Sequence, residues 1–358
     1  MAWNRPRIGC NPLLGMTEEL IITGLFYLFF FLFGALVLGF LIHRLSATQV
    51  PVLSCFISGA IFLLPINLLV LHYLLWLWPH HPSRFYTGML IIFNACLYLT
   101  VVKKMKHFFL LVFTEIRLRL GSSLTMILPV VVILLVYTGI FLSASKPFVE
   151  HDAMEYAVYG NSISQKAEII YAKHHYDQES GFYYNGLHGY AFPLLRTLEC
   201  FINGWLPTGD FIFRSLNALC GFLLILLAGI AGLSFSRRFA IWMMLCLLMS
   251  YVFIFSFFQV SVDHFRMMQL FAFALLWYQS RNFKHTHSWY LLLCFLAGLA
   301  AFSHALNMLL LSVFLTLEFY FLFRLHIKPV AISILGFSLG GALHYFLETF
   351  IGTGWIFQ

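Results

Sequence analysis

The sequence predicts an all-α, polytopic membrane protein, a helical bundle of about ten spans, and three observations carry that expectation. Hydrophobic residues fill 61% of the 358 positions and charged residues only 10%, with a mean hydropathy of +0.88. A soluble domain carries about 25% charged residues, so most of this surface has to face lipid. Apolar runs of near-spanning length recur along the whole chain, and basic residues fall in short clusters between them. Lipid leaves backbone polar groups no partner but each other, which selects helices for the spans.

The runs lie at 20–42, 50–78, 85–102, 122–143, 212–234, 239–257, 267–280, 289–303, 306–323 and 330–347. A helix needs about 20 apolar residues to cross the hydrocarbon core, so 267–280 and 289–303 are the short members. The segment 103–119 holds Lys103, Lys104, Lys106, Arg117 and Arg119 against Glu115 alone, which reads as cytoplasmic. Alternation from there brings Arg237 with Arg238, Arg281 with Lys284, and Arg324 with Lys328 to the same side. The polar stretch 144–211, with four Lys/Arg against eight Asp/Glu, then faces away from the cytoplasm and is expected to carry short interfacial helices. Three spans before residue 103 put the N-terminus on that side too. The chain divides by content into a three-helix membrane extension, 1–121, and a seven-helix module, 122–358, with external loops at 144–211 and 258–266. It stops at Gln358 just after its last span, as a short or truncated protein would.

The net charge of +7 does not form one patch, so no nucleic-acid partner is expected. Seven cysteines without a CxxC spacing give neither a zinc site nor a disulfide framework. The first apolar run is too long for a signal-peptide core and reads as a retained helix. No N-x-S/T sequon occurs in the loops, which favours a bacterial inner membrane.

Acids concentrate in the external loops. Asp152, Glu155, Tyr156 and Tyr159 stand at i, i+3, i+4 and i+7, one face of an amphipathic helix lying on the membrane surface. A carboxylate pair on that face suits a hydroxyl acceptor or a metal; equally, Asp152 before the helix and Glu155 three residues on read as a capping box. In the second loop Asp263, His264 and Arg266 sit at the start of the 267–280 run. There an acid and a base beside a bilayer point to function, against an N-cap with a snorkelling arginine. Between the loops, His174, His175 and His188 are candidates for phosphate or metal, although no HxxxH or HExxH spacing is present. His304 also faces outward.

The order of the pieces is more specific than any one of them. His151-Asp152-Ala153-Met154-Glu155-Tyr156 follows a span, Gly186-Leu187-His188-Gly189-Tyr190-Ala191-Phe192-Pro193 leads back to the membrane, and Arg214-Ser215-Leu216-Asn217 opens the next helix. Gln259-Val260-Ser261-Val262-Asp263 closes the following one, and Gly298-Leu299-Ala300-Ala301-Phe302-Ser303-His304 and Gly352-Thr353-Gly354-Trp355 come later. Over 122–358 this resembles the GT-C superfamily of integral-membrane glycosyltransferases, in the branch of protein O-mannosyltransferases and lipid A aminoarabinose transferases. The resemblance implies a sugar donor on a polyprenyl phosphate, a catalytic base at Asp152 and a second site acid at Asp263. The first-loop motif departs from the family's adjacent acids, since His151 precedes Asp152 and the second acid is Glu155.

In such a reaction Asp152 takes the proton of the acceptor hydroxyl as it attacks C1, with inversion. Glu155 and Asp263 complete the catalytic set. Tyr156, His188, His264 and Arg266 are the expected substrate contacts. The departing phosphate needs a cation, with Arg266, His264, Lys146, Arg196 or a divalent metal as candidates. The acceptor is a hydroxyl of a lipid, a glycan or a protein. The rivals are a transporter or flippase for a lipid-linked saccharide, whose ionisable residues belong nearer the midplane, and a non-catalytic truncated transferase homologue. Glu318 and Arg324, near a cytoplasmic end, are the few charges in the late spans.

Overall fold

The computed structural model describes residues 12–47, 49–120, 128–136, 151–169, 176–177, 182–183, 191–203, 212–251, 253–254, 263–281, 286–321 and 327–347. They are almost wholly helical: α1 (Pro12–Leu45), α2 (Val52–Leu77), α3 (Ser83–Leu120), α4 (128–136), α5 (His151–Lys166), α6 (Ala191–Asn203), α7 (Ile212–Leu233), α8 (Arg237–Leu248), α9 (Asp263–Ser280), α10 (His287–Ser303), α11 (Ala305–Phe321), α12 (Ile327–Leu339) and α13 (Ala342–Phe346). A two-residue antiparallel pair sets Tyr176 opposite Tyr183 and Asp177 opposite Phe182. Three helices are long and apolar enough to cross a bilayer, over Tyr27–Leu45, Val52–Leu77 and Ser83–Arg119. The later runs form shorter apolar helices at Leu219–Leu233, His287–Ser303, Ala305–Glu318 and Ile327–Leu339. The expected runs 122–143 and 239–257 fall only partly within the described residues.

One expectation needs correcting. The run expected to end at 102 belongs to a longer helix that takes in the basic segment 103–119: α3 runs unbroken from Ser83 to Leu120. At 1.5 Å per residue that is about 57 Å, nearly twice the roughly 30 Å hydrocarbon core. Nothing between 102 and 103 breaks a helix, because lysines are good helix formers and no glycine or proline intervenes. Charge clusters mark where a span leaves lipid, and they do not mark where its helix ends.

The core is organised around α2, which packs against α1, α3, α6, α7, α9 and α10. It is apolar all round and 83% buried over its span, as a central helix must be. Residues of α1 and α2 share one continuous hydrophobic cluster with α5, α6, α7, α9 and α10. Glycine sets the closest crossing. A Cβ on Gly59 of α2 would collide with the backbone of Gly34 and Gly39 in α1, so the two helices touch main chain to main chain. Without a hydrophobic drive between helices in lipid, such contact is a chief source of association. The same device recurs between α10 and the end of α12, where Gly298 meets the Phe337 carbonyl and Gly340, and Gly336 meets the Leu291 carbonyl. Polar pairing adds to it. Asn94 of α3 donates to the Asn67 carbonyl oxygen of α2 at 2.6 Å, and Asn67 returns the bond at 3.3 Å.

Two ends of the bundle follow from named contacts. At one end Glu115 accepts the Leu53 N–H at 3.0 Å, Arg237 donates to the Leu118 carbonyl at 3.2 Å, and Gln279 meets the Ser234 hydroxyl at 3.5 Å. The α1–α2 turn, the end of α3, the α7–α8 turn and the end of α9 therefore gather there, with Arg117, Arg119, Arg237, Arg238 and Arg281. At the other end the α2–α3 turn meets α5. His80 donates its N–H to the Ala167 carbonyl at 2.8 Å, and its ring faces Glu168 at 3.3 Å. Tyr86 of α3 stacks on Phe201 of α6, 5.2 Å between centroids. The basic clusters thus collect at one end, and toward the other α5 ends and α9 begins.

Candidate functional site

The site is built on α5 and α6, which pack as a pair. Tyr156, Tyr159, Gly160 and Ile163 recur at helical spacing and are all buried, forming the face that α5 turns to the core. Gly160 lies so close to the Arg196 side chain and the Pro193 carbonyl that any side chain there would collide. The expected surface helix is therefore docked, with its tyrosines turned inward. Asp152 and Glu155 belong by backbone to the first two described turns of α5, and their side chains lie outside the described residues, as does His188 altogether. Asp152 is itself helical, within α5 as described from His151, and so is not an N-cap before the helix. A carboxylate there still meets the positive end of the helix dipole.

Beneath α5 runs a buried polar network that the sequence reading did not assemble. Arg196 of α6 donates its Nε–H to the Asn161 side-chain oxygen of α5 at 3.0 Å and pairs through Nη1 with Glu199 at 3.4 Å. Glu199 accepts the Tyr27 hydroxyl of α1 at 3.0 Å. Arg196 and Glu199 are 8% and 3% exposed, so each charge depends on its partner. This corrects one expectation: Arg196 is engaged below the surface and does not serve as the cation for a departing phosphate. The signal available in sequence was an arginine and a glutamate three apart inside the otherwise apolar 191–203. Tyr27, in the middle of an apolar run, gave none.

The second part of the site is the first turn of α9. Asp263 opens the helix, and its Oδ1 lies 2.6 Å from both Nε and Nη2 of Arg266. Asp263 keeps 39% of its side chain exposed and Arg266 17%, so the pair faces outward at the helix start. Two of the five guanidinium N–H groups point at Asp263, which leaves others for a ligand. The neighbouring His264 is turned inward, 3% exposed, with Nε2 3.1 Å from the Phe253 carbonyl. Burial pushes its pKa down to about 4, against opposing contributions from that carbonyl and from Asp263. It is neutral at pH 7 and supplies no charge. Asn307 at the start of α11 donates to the Arg266 carbonyl at 3.1 Å and to Ala300 at 3.1 Å, while Ser303 donates to Gln269 at 2.8 Å. These bonds tie the α10–α11 break at His304 to the first turns of α9.

An aromatic relay joins the two parts. The Tyr156 ring of α5 lies 5.4 Å from Phe192 of α6, and Phe192 lies 5.7 Å from Phe265 of α9. Tyr156 is one helical turn from Asp152, and Phe265 is two residues from Asp263. Phe192 thereby links the second described turn of α5 to the first turn of α9. Of the expected contacts, Tyr156 and His264 are packing residues, buried in the relay and against Phe253, and not groups presented to a ligand. Two turns below Asp263, α9 forms a wall of an apolar cleft of about 500 Å³ shared with α7 and α8, lined by Leu224, Phe235, Leu247, Phe271 and Tyr278 among others. Among the described residues no group of three or more His, Cys, Asp and Glu side chains is arranged to hold a metal. Comparison with protein families, curated proteins and solved structures finds no match for this chain.

Proposed function

We propose that this protein is an integral-membrane glycosyltransferase that moves a sugar from a polyprenyl-phosphate donor to a hydroxyl acceptor on the non-cytoplasmic side of a bacterial inner membrane. The observation that supports this reading is the Tyr156–Phe192–Phe265 relay, which links α5 one turn after Asp152 to α9 two residues after Asp263. That link lies toward the end opposite the basic clusters, in keeping with the orientation expected from charge and with a ten-span path. Asp152 takes the hydroxyl proton as the acceptor oxygen attacks C1. The bond from C1 to the phosphate oxygen breaks, and the polyprenyl phosphate leaves with the electron pair. Arg266, aimed by Asp263, meets that developing charge; a divalent cation held with Asp152 or Glu155 is compatible with the same layout. The apolar cleft beside α9 suits the lipid tail.

The test is sugar transfer from polyprenyl-phosphate donors to hydroxyl acceptors by protein in nanodiscs. Product with retained donor specificity is expected. No donor consumption across a range of sugars, with lipid-linked saccharide crossing the bilayer of proteoliposomes, would favour the transporter reading. Arg266→Gln should lower kcat about 10²–10³-fold, the loss typical of one transition-state donor. Its stability should fall by less than about 1 kcal/mol, because the ion pair is partly exposed. An unchanged kcat would remove Arg266 from the site.

A further inference from the structure

Far from the site described above, α11 carries an acid inside the bundle. Glu318 is 6% exposed, and its Oε2 has no hydrogen-bond partner among the described residues. Its surroundings are apolar or weakly polar. One turn earlier Leu315 packs with Tyr290 and Cys294 of α10, which are themselves 3% and 0% exposed. Both are close enough to interact electrostatically with the Glu318 carboxyl. Ser333 of α12 is fully buried and donates its hydroxyl to the Pro329 carbonyl at 2.8 Å.

Among the described residues no compensating charge approaches. Just past α9 the Arg281 guanidinium sits over the Tyr278 ring, 4.2 Å from its centroid. On α10 His287 is exposed, as are Lys328 on α12 and Tyr320 on α11 itself. Among the described residues none of the bases forms an ion pair with Glu318. An ionised carboxylate in such a place forgoes hydration that no partner replaces. Intramembrane acids are retained at that cost where they bind an ion.

We propose that α10, α11 and α12 enclose a proton-binding site at Glu318, occupied at neutral pH and emptied only when water reaches the carboxyl. The inference is independent of sugar transfer and would stand if that reading failed. It gives the lower half of this helix trio a chemical role, since loss of the proton places a bare charge between three packed helices. The trio then has to part or hydrate.

The probe is a hydrophobic carbodiimide applied to the full-length protein in detergent, with adducts mapped by peptide mass. A protonated carboxyl gives its proton to a carbodiimide nitrogen while its oxygen bonds the central carbon. The O-acylisourea then rearranges to a stable N-acylurea, so the whole reagent is added and nothing leaves. Glu318 should be modified at neutral pH, with the adduct falling to background in alkaline buffer. A water-soluble carbodiimide should spare it. Glu318→Gln, which keeps shape and removes the acid, should lose that adduct; if the variant does not fold, the wild-type map decides alone. Absence of an adduct at Glu318 in neutral buffer would overturn the proposal. So would suppression of the adduct by sodium ions at constant pH, which would make the site one for a metal cation.

Discussion

Glu199→Ala should destabilise the protein by about 3–5 kcal/mol, the usual consequence of leaving one member of a buried ion pair without the other. Its side chain is 3% exposed and joins the Arg196 guanidinium to the Tyr27 hydroxyl. Removing it strands a positive charge where water is scarce. Glu199→Gln should cost less, since an amide oxygen still accepts from Tyr27. Tyr27→Phe should cost about 1.5–3 kcal/mol, the range for a hydrogen bond to a charged group. A double variant, Arg196→Met with Glu199→Leu, should recover much of the loss because apolar packing often replaces a buried pair without penalty. Unfolding in detergent, followed by helix content, measures all four. A Glu199→Ala protein as stable as wild type would mean that Arg196 reaches water and that the network is not buried. Because Arg196 also holds Asn161 of α5, Glu199→Ala should loosen the helix that starts with Asp152. Transfer should weaken even where the protein survives.

Much of the architecture was legible before any coordinates. Apolar runs 20–42, 50–78 and 85–102 announced the three long helices because hydrophobicity over about 20 residues is a strong local signal. What escaped was long-range or hidden by chemistry that looks alike in sequence. The apolar run was bounded at 102 by the lysines, although charge and helicity are compatible, and α3 continued through them. The face 152, 155, 156, 159 was read as lying on the membrane, yet Tyr156 and Tyr159 are buried against α6. A tyrosine has an apolar body with a polar tip, and its spacing does not reveal which way the apolar face turns. Asp263 with Arg266 was visible as a pair, because residues three apart on a helix meet. The bridge through Phe192 was not, since it joins three helices that are far apart in the chain. Nor was the position of α2 at the centre of the bundle. Every apolar helix looks alike in composition, and only Gly34, Gly39 and Gly59 hinted at which surfaces meet.

Single-turnover sugar transfer by Asp152→Asn addresses the central claim most directly. If Asp152 is the general base, the rate of the chemical step should fall about 10²–10⁴-fold, with donor affinity close to wild type. Stability should change little. Asp152 stands inside the first described turn of α5, so asparagine forfeits only the charge–dipole contribution of about 0.3–1 kcal/mol. Loss of rate without loss of fold or of donor binding is the predicted result. Wild-type turnover by Asp152→Asn, in protein of unchanged stability, would contradict it.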